Sequence, residues 1–564
     1  MPGGAVVLTA PSSLGGIEAP VTARAYFLCA FAAFGGIFFG FDSGYINGVM
    51  GMRQFIHDFT GASIPGADAS QAQISAFAIP AWRQSLIVSI LSAGTFFGAL
   101  TAGDIADWIG RRTTIITGCC IFSVGVVLQV AAVGYGLLVA GRLVAGLGVG
   151  FVSAIIILYM SEIAPRRVRG ALVSGYQFCI TVGILLASCV VYGTEGLANT
   201  GSYRIPIAIQ WVWALILGSQ SSPFVCADLV LTFCLGIGLV FLPESPRYYV
   251  KKGKLEEAAR SLSRVRGQPA NSEYIIQELA EIVANYEYEM RIIGKTDGYF
   301  QSWRICFQGS LTKPSSNLRR TLVGISAQMM QQWTGINFIF YFGTAFFTQL
   351  GSIKNPFLIS LITTLVNVCS TPLSFWTVER FGRRPLLIWG AIGMVVCQFI
   401  IAIAGTVDGE NSKTVSAEIA FICLYIFFFA STWGPGAWVV VSEMFPLQIR
   451  SRGVALSVAS NWFWNCIIAV ITPYMVGVKE GNLGAKVFFV WGALCVCCVI
   501  WAYFLVYETK GLTLEQVDQL LEETTPRTSA RWVPSNTFSE GMSDEKGDLK
   551  HEVVEHVVNT GTVH

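Results

Sequence analysis

Twelve stretches of the 564-residue chain are apolar over enough length to cross a hydrocarbon core of about 30 Å. They begin near Tyr26, Gln84, Thr113, Tyr135, Gly170, Pro206, Thr321, Pro356, Pro385, Ala417, Gly453 and Lys486 and are numbered here as spans 1 to 12. Backbone polar groups in lipid must be satisfied within the segment, so runs of this length are read as helices. Charged residues make up 13% of the chain, against about 25% for a soluble domain. The expected fold class is therefore an all-α membrane protein.

Basic residues give the orientation. Short loops after spans 2, 4, 8 and 10 carry Arg111 and Arg112, then Arg166, Arg167 and Arg169, then Arg380, Arg383 and Arg384, then Arg450 and Arg452. The intervening loops are poor in Lys and Arg, so the positive-inside rule places the basic loops and both termini in the cytoplasm. Residues 1–25 lack an ordered signal-peptide pattern and are read as a cytoplasmic N-terminal segment, with span 1 as an uncleaved signal. Residues 251–312 are polar, and KLEEAARSLSRV and SEYIIQELAEIVANYEYEMRII show helical spacing of apolar residues. They read as a cytoplasmic helical linker between two six-helix bundles, 26–250 and 313–511, and the acidic balance of the second stretch argues against its binding an anionic leaflet. Residues 512–564 read as a solvated, disordered cytoplasmic tail.

Two charges interrupt the apolar runs. Asp42 lies within GGIFFGFDSGYINGVM of span 1, and Arg142 opens GRLVAGLGVG of span 4. A charge near the bilayer centre costs roughly 2.5–3.5 kcal/mol on insertion scales, so a functional role is the default reading and an interfacial position the alternative. The glycine run has no strand before it, so Gly146 and Gly150 are read as helix-packing positions rather than a phosphate loop. A net charge of +2 implies no nucleic-acid partner. The 15 cysteines fall mostly in apolar runs without ligand spacing, and no cofactor, metal or catalytic constellation is visible.

The halves repeat each other. DWIGRRTT at 107–114 answers ERFGRRPL at 379–386, and SEIAPRRVRG at 161–170 answers SEMFPLQIRSRG at 442–453. Parallel repeats of this kind place a substrate site between the halves near the midplane. Arg111, Arg112, Arg169, Arg247, Arg383 and Arg384 can bridge to Glu162, Glu244, Glu379 and Glu443 as cytoplasmic latches, the alternative being that the arginines are topology signals alone.

Those motifs, with PESPR at 243–247, QQWTGINFIFY at 331–341 and ETKGLTLEQ at 508–516, resemble the sugar porter family of the major facilitator superfamily over residues 26–515, and fungal monosaccharide transporters in particular. The resemblance implies twelve transmembrane helices in two bundles, alternating access at the plasma membrane, and a monosaccharide, most simply glucose, carried with a proton by a functional monomer. It implies sugar contacts at Gln177, Gln331, Gln332, Asn337, Asn367, Trp438, Asn461, Trp462 and Asn465, and a proton-coupling pair in which Asp42 faces Arg142. Passive relatives tend to carry a neutral residue where Asp42 stands; a passive hexose facilitator and a transporter-like sugar sensor are the alternatives.

The residue types suit such a ligand. Carboxamides both donate and accept hydrogen bonds without charge, and an indole covers the apolar face of a pyranose. Gln331 and Gln332 diverge by about 100° on a helix, so bringing both together with Asn337 requires unwinding near Gly335. One stretch departs from the family. Pro206 to Pro243 is 38 residues, about 57 Å as helix, and residues 218–235 look inserted. A gene-model error, an extracellular extension and a re-entrant turn compete to explain it. Tyr507 also stands where the family usually has Pro before ETKG.

Overall fold

The computed structural model describes residues 22–64, 77, 79–165, 168–219, 242–293, 299–349, 355–408, 412–477, 480–512 and 514–533. Among these the regular structure is entirely helical. In chain order the helices are α1 (Ala23–Ala33), α2 (Gly35–Gly51), α3 (Arg53–Thr60), α4 (Ala81–Ile109), α5 (Arg111–Val130), α6 (Tyr135–Ile163), α7 (Arg169–Thr194) and α8 (Gly201–Ser219). A polar group follows, α9 (Pro246–Lys251), α10 (Leu255–Arg266), α11 (Glu273–Ile293) and α12 (Tyr299–Cys306). The second half contains α13 (Asn317–Trp333), α14 (Ile336–Gln349), α15 (Pro356–Ser370), α16 (Leu373–Phe381), α17 (Arg383–Asp408) and α18 (Ser412–Phe428). It continues with α19 (Gly434–Met444), α20 (Arg450–Val476), α21 (Val487–Leu505) and α22 (Leu514–Glu523).

Nine described helices are long and apolar enough to cross a membrane, or ten if α15 and α16, bent by 43°, form one span. They match the expected spans 1 to 5, 9 to 12 and, through the bent pair, 8. Span 7 is divided into α13 and α14 at Thr334 and Gly335, so neither piece has the length by itself. Span 6 begins as α8, but 220–241, which contain most of the suspected insertion, lie outside the described residues. So do 1–21 and 534–564, where the terminal segment and tail were expected.

Small residues let the helices meet closely. Gly36, Gly40, Gly44 and Gly48 recur every fourth residue on α2 and face α7; a Cβ on Gly40 would lie 2.0 Å from the Ile180 carbonyl oxygen. Gly94 and Gly98 of α4 meet Gly146 and Gly150 of α6 in the same way, which is the packing role expected of the latter two. Such contacts replace the hydrophobic drive that lipid does not supply between helices.

The polar segment folds onto itself. Val250, Ala258, Leu262, Ile275 and Leu279 form a small apolar cluster of α9, α10 and α11. Arg266 forks onto Glu278 at 2.9 and 2.5 Å and donates to the Ile163 carbonyl at 2.8 Å, tying the segment to the end of α6. Burial alone would raise the Glu278 carboxyl, but the Arg266 guanidinium holds it below the usual glutamate range.

Candidate functional site

A cavity of about 60 Å³ lies between the two halves, walled by α2 and α7 on one side and by α13, α14, α15, α19 and α20 on the other. Gln177, Gln331, Gln332, Asn337, Asn367, Trp438, Asn461 and Asn465 line it, together with Phe39, Phe340, Tyr341 and Phe429. Among the described residues the wall is mainly carboxamide, aromatic and aliphatic, with no charged residue in its lining.

The break at Thr334 brings the α13 and α14 amides together. Gly335 adopts φ +82, a left-handed value open to glycine at little cost, and a Cβ there would lie 2.6 Å from the Trp491 ring. The Thr334 carbonyl, freed from its helical partner, accepts from Gln398 Nε2 at 2.8 Å and Tyr425 Oη at 2.7 Å. Asn337 Nδ2 consequently donates to Gln332 Oε1 across the break. Gln332 Nε2 donates to Asn461 Oδ1 at 3.0 Å, and Asn461 Nδ2 donates to Gln328 and Gln331 at 2.7 and 2.8 Å. Asn465 Nδ2 donates to Tyr341 Oη at 3.0 Å and to Gln332 Oε1 at 3.4 Å, and its Oδ1 accepts from Ser92 of α4 at 2.7 Å. Gln331 has a further duty: its Nε2 donates to the Trp433 and Gly434 carbonyls at 3.2 and 2.8 Å, where a π-helical segment, Phe429–Trp433, leads into α19. Trp438 Nε1 donates to Gln177 Oε1 at 3.0 Å, a contact that crosses from one half to the other.

Trp462 departs from expectation. It is absent from the cavity wall; its ring is buried edge-on against Phe39 at 4.9 Å, and Nε1 faces Ser153 Oγ at 3.4 Å. The reason is local: one residue beyond Asn461, it points about 100° away around the helix.

Asp42 and Arg142 are both fully buried. No ion pair joins them in this structure. Arg142 instead donates from Nε to the Ile87 carbonyl at 2.6 Å and from Nη1 to Tyr45 Oη at 2.7 Å, while neither Asp42 carboxyl oxygen has a hydrogen-bond partner. Ser43, the next residue, reaches the cavity wall.

The GRR loops lie at one end of the bundle. Arg111 forks onto Glu162 at 3.1 and 3.0 Å and approaches Asp107 at 3.4 Å; Arg383 forks onto Glu443 at 3.1 and 2.8 Å and approaches Glu379 at 3.5 Å. Glu244 accepts the backbone N–H groups of Arg111 and Arg112 at 2.9 and 3.1 Å, and Glu508 those of Arg383 and Arg384 at 3.0 and 3.2 Å. Gly110 (φ +94) and Gly382 (φ +89) permit this, since a Cβ at either would lie within 2.4 Å of the glutamate. Burial raises the Glu244 carboxyl above its ordinary range, against the opposing backbone N–H groups and Arg111. Arg384 also donates to the Tyr503 carbonyl at 2.8 Å. Arg169 and Arg247 are buried at the starts of α7 and α9.

Contacts between halves were only partly foreseen. Glu379 accepts the Ala171 N–H at the start of α7 at 3.1 Å, a favourable place for a carboxylate. Asp107 accepts from Ser451 at 2.7 Å and Lys251 at 2.8 Å, and Asp104 from Arg452 at 2.8 Å and Trp303 at 2.9 Å. Asp104, Asp107 and Glu508 were not among the expected residues; the internal repeat contained the signal for Glu508, which follows the last span as Glu244 follows span 6.

A family model described as sugar (and other) transporter matches residues 28–521. The chain belongs to the sugar transporter family. It is 44% identical over 523 residues to a major facilitator-type transporter of Aspergillus rugulosus, covering 90% of each chain. It is 41% identical over 547 residues to a probable glucose transporter of Neurospora crassa, covering 95% of this chain and 85% of that one. Among solved structures, the major facilitator superfamily proton:xylose symporter XylE, bound to 6-bromo-6-deoxy-D-glucose, superposes with a TM-score of 0.71 at 24% identity, over 89% of this chain and all of XylE. Membership in this transporter family, rather than in any enzyme class, accounts for a central cavity lined by amides and aromatic rings.

Proposed function

We propose that this sugar transporter family member carries a monosaccharide, most simply glucose, across the plasma membrane together with a proton. The observation that carries the reading is the uncharged cavity between the halves, in which Gln332, Asn337, Asn461 and Asn465 form one connected amide network facing Trp438. Each amide offers a donor and an acceptor to a hydroxyl, and the aromatic residues offer surface to C–H groups. The glucose transporter named among the relatives supports the choice of sugar. In this reading twelve helices form two bundles, the polar segment α9–α12 lies in the cytoplasm with the termini, and the GRR end, rich in arginine, is the cytoplasmic end. The contacts of Asp104, Asp107 and Glu379 then keep that end shut while the cavity loads from outside.

Asp42 is the proton site. With a proton it needs no counter-ion, as in the arrangement seen here; without one it draws Arg142 into an ion pair, since arginine does not deprotonate in this range. The missing ion pair is also the specific observation that favours a passive facilitator as a second reading, in which the two residues have only a packing role. Uptake of labelled glucose, with competing sugars, in a host lacking its own hexose carriers and with or without a protonophore separates them. Symport requires uphill accumulation that the protonophore collapses. Uptake that only equilibrates and ignores the protonophore leaves the passive reading standing.

A further inference from the structure

Tyr45 stands three residues after Asp42 on α2, one turn along the same face, and is fully buried. Its hydroxyl donates to Gln129 Oε1 of α5 at 2.7 Å and accepts from Arg142 Nη1 at 2.7 Å. A hydroxyl has one proton to give, so while Gln129 takes it, a lone pair is presented to Arg142. The guanidinium carbon lies 5.7 Å from the centre of the Tyr45 ring, and Nε is anchored on Ile87 of α4. Close by are groups with nothing to bond, both Asp42 carboxyl oxygens and Gln129 Nε2, and the Gln210 amide of α8 also approaches the Tyr45 hydroxyl. Asp42, Gln129, Arg142 and Gln210 are each at most 2% exposed. Buried polar atoms left unpaired cost free energy, so a cluster of them around one movable cation marks a place with a second arrangement of bonds.

We propose that Tyr45 is a positioning residue that competes with Asp42 for Arg142 and so sets the pH at which the carrier loads its proton; this rests on the proton-symport reading. When Asp42 is charged, it outbids a neutral hydroxyl, because charge-assisted hydrogen bonds are about twice as strong as neutral ones. Arg142 then swings about its anchored Nε from Tyr45 to Asp42. When a proton from outside binds an Asp42 oxygen, the ion pair loses its advantage and Tyr45, held in register by Gln129, recaptures the guanidinium. Among the described residues the charged or titratable groups facing Asp42 are Arg142 of α6, Tyr45 on its own helix and Tyr341 of α14. Among the described residues Arg142 is therefore the one cation whose position the hydroxyl can bias.

The test is the pH profile of protonophore-sensitive glucose uptake, normalised to the amount of protein at the cell surface, in the unmodified protein, Tyr45→Phe, Gln129→Leu and Tyr45→Phe combined with Asp42→Asn. Without the competing hydroxyl, Arg142 stays on Asp42 to more acidic pH, so the half-maximal point of Tyr45→Phe moves down by about one pH unit, the equivalent of one such hydrogen bond. Gln129→Leu moves it the same way by less, and carries the test if Tyr45→Phe fails to reach the surface. In the Asp42→Asn background, Tyr45→Phe leaves exchange independent of pH. A coupled carrier whose pH profile ignores both single substitutions overturns the role of Tyr45 alone. An unmodified protein whose uptake ignores the protonophore overturns the symport reading and this role with it.

Discussion

Arg111 and Arg383 occupy equivalent places in the two repeats, and their surroundings match nearly atom for atom: a forked glutamate on a following helix, a third carboxylate one turn back, and a loop glutamate capping the next N–H groups. At their centres the repeats part. The first half buries an acid and a base, Asp42 and Arg142, that do not meet, and leaves both Asp42 oxygens and Gln129 Nε2 open. The second half breaks a helix, re-satisfies the freed carbonyl, and joins its neutral amides into a network. A shared scaffold is therefore kept at the arginine-rich end of the two halves and abandoned at their centres, where one half buries an acid and a base and the other joins neutral amides.

The comparison breaks most visibly at Asp42. Asp42→Asn is expected to abolish uphill accumulation of labelled glucose while sparing exchange and downhill flux. A variant that still concentrates sugar and still responds to a protonophore would remove charge from the first half's role. Next in size is Gln332→Ala, which removes one amide's hydrogen bonds from the cavity and, at about 1–3 kcal/mol, should raise the KM for glucose by roughly 10- to 100-fold. An unchanged KM would mean that the amide network only holds helices together.

Arg111→Ala and Arg383→Ala sharpen the symmetric part. Each leaves buried carboxylates unpaired, and about 3 kcal/mol of stability should go from both. Thermal unfolding in detergent measures it, and a loss confined to one half would end the equivalence. Trp462→Phe keeps the packing against Phe39, so the KM for glucose should stay within about twofold; a larger rise would restore Trp462 to the sugar contacts. The smallest effect lies outside the bundles. Because Arg266 holds the Glu278 carboxyl low, the pair's contribution is present above the unfolded value near 4.3 and is lost as pH falls through the lower folded value. Hydrogen exchange in α10 and α11 should quicken only below about pH 4; constant protection to lower pH would show that the apolar cluster alone holds them.

Much of this was legible in the chain. Apolar length and buried glycines follow from the absence of water, so most spans and the roles of Gly146 and Gly150 were readable directly. Gln332 and Asn337, five residues apart, required a break near Gly335, and the break is there. Trp462 was misplaced because a motif names neighbours without saying which way each faces. The Asp42 and Arg142 pairing failed to appear because a side chain with two possible partners takes one of them in any single arrangement, and the sequence lists both without ranking them. Asp104 escaped notice because its partner Arg452 lies more than 340 residues away, whereas Asp107 stands where Glu379 stands in the second repeat, so the repeat held its signal.

The glycine stripe of α2 has a consequence for motion. Where α2 and α7 touch through bare backbone, Cα–H groups can point at carbonyl oxygens such as that of Ile180, and each such contact is worth about 0.5–1 kcal/mol. Several in a row resist sliding better than oily side chains would, since side chains can reshape and backbone cannot. The first and fifth spans should accordingly tilt as one plank, so that any displacement of Asp42 is delivered to Gln177 without slippage.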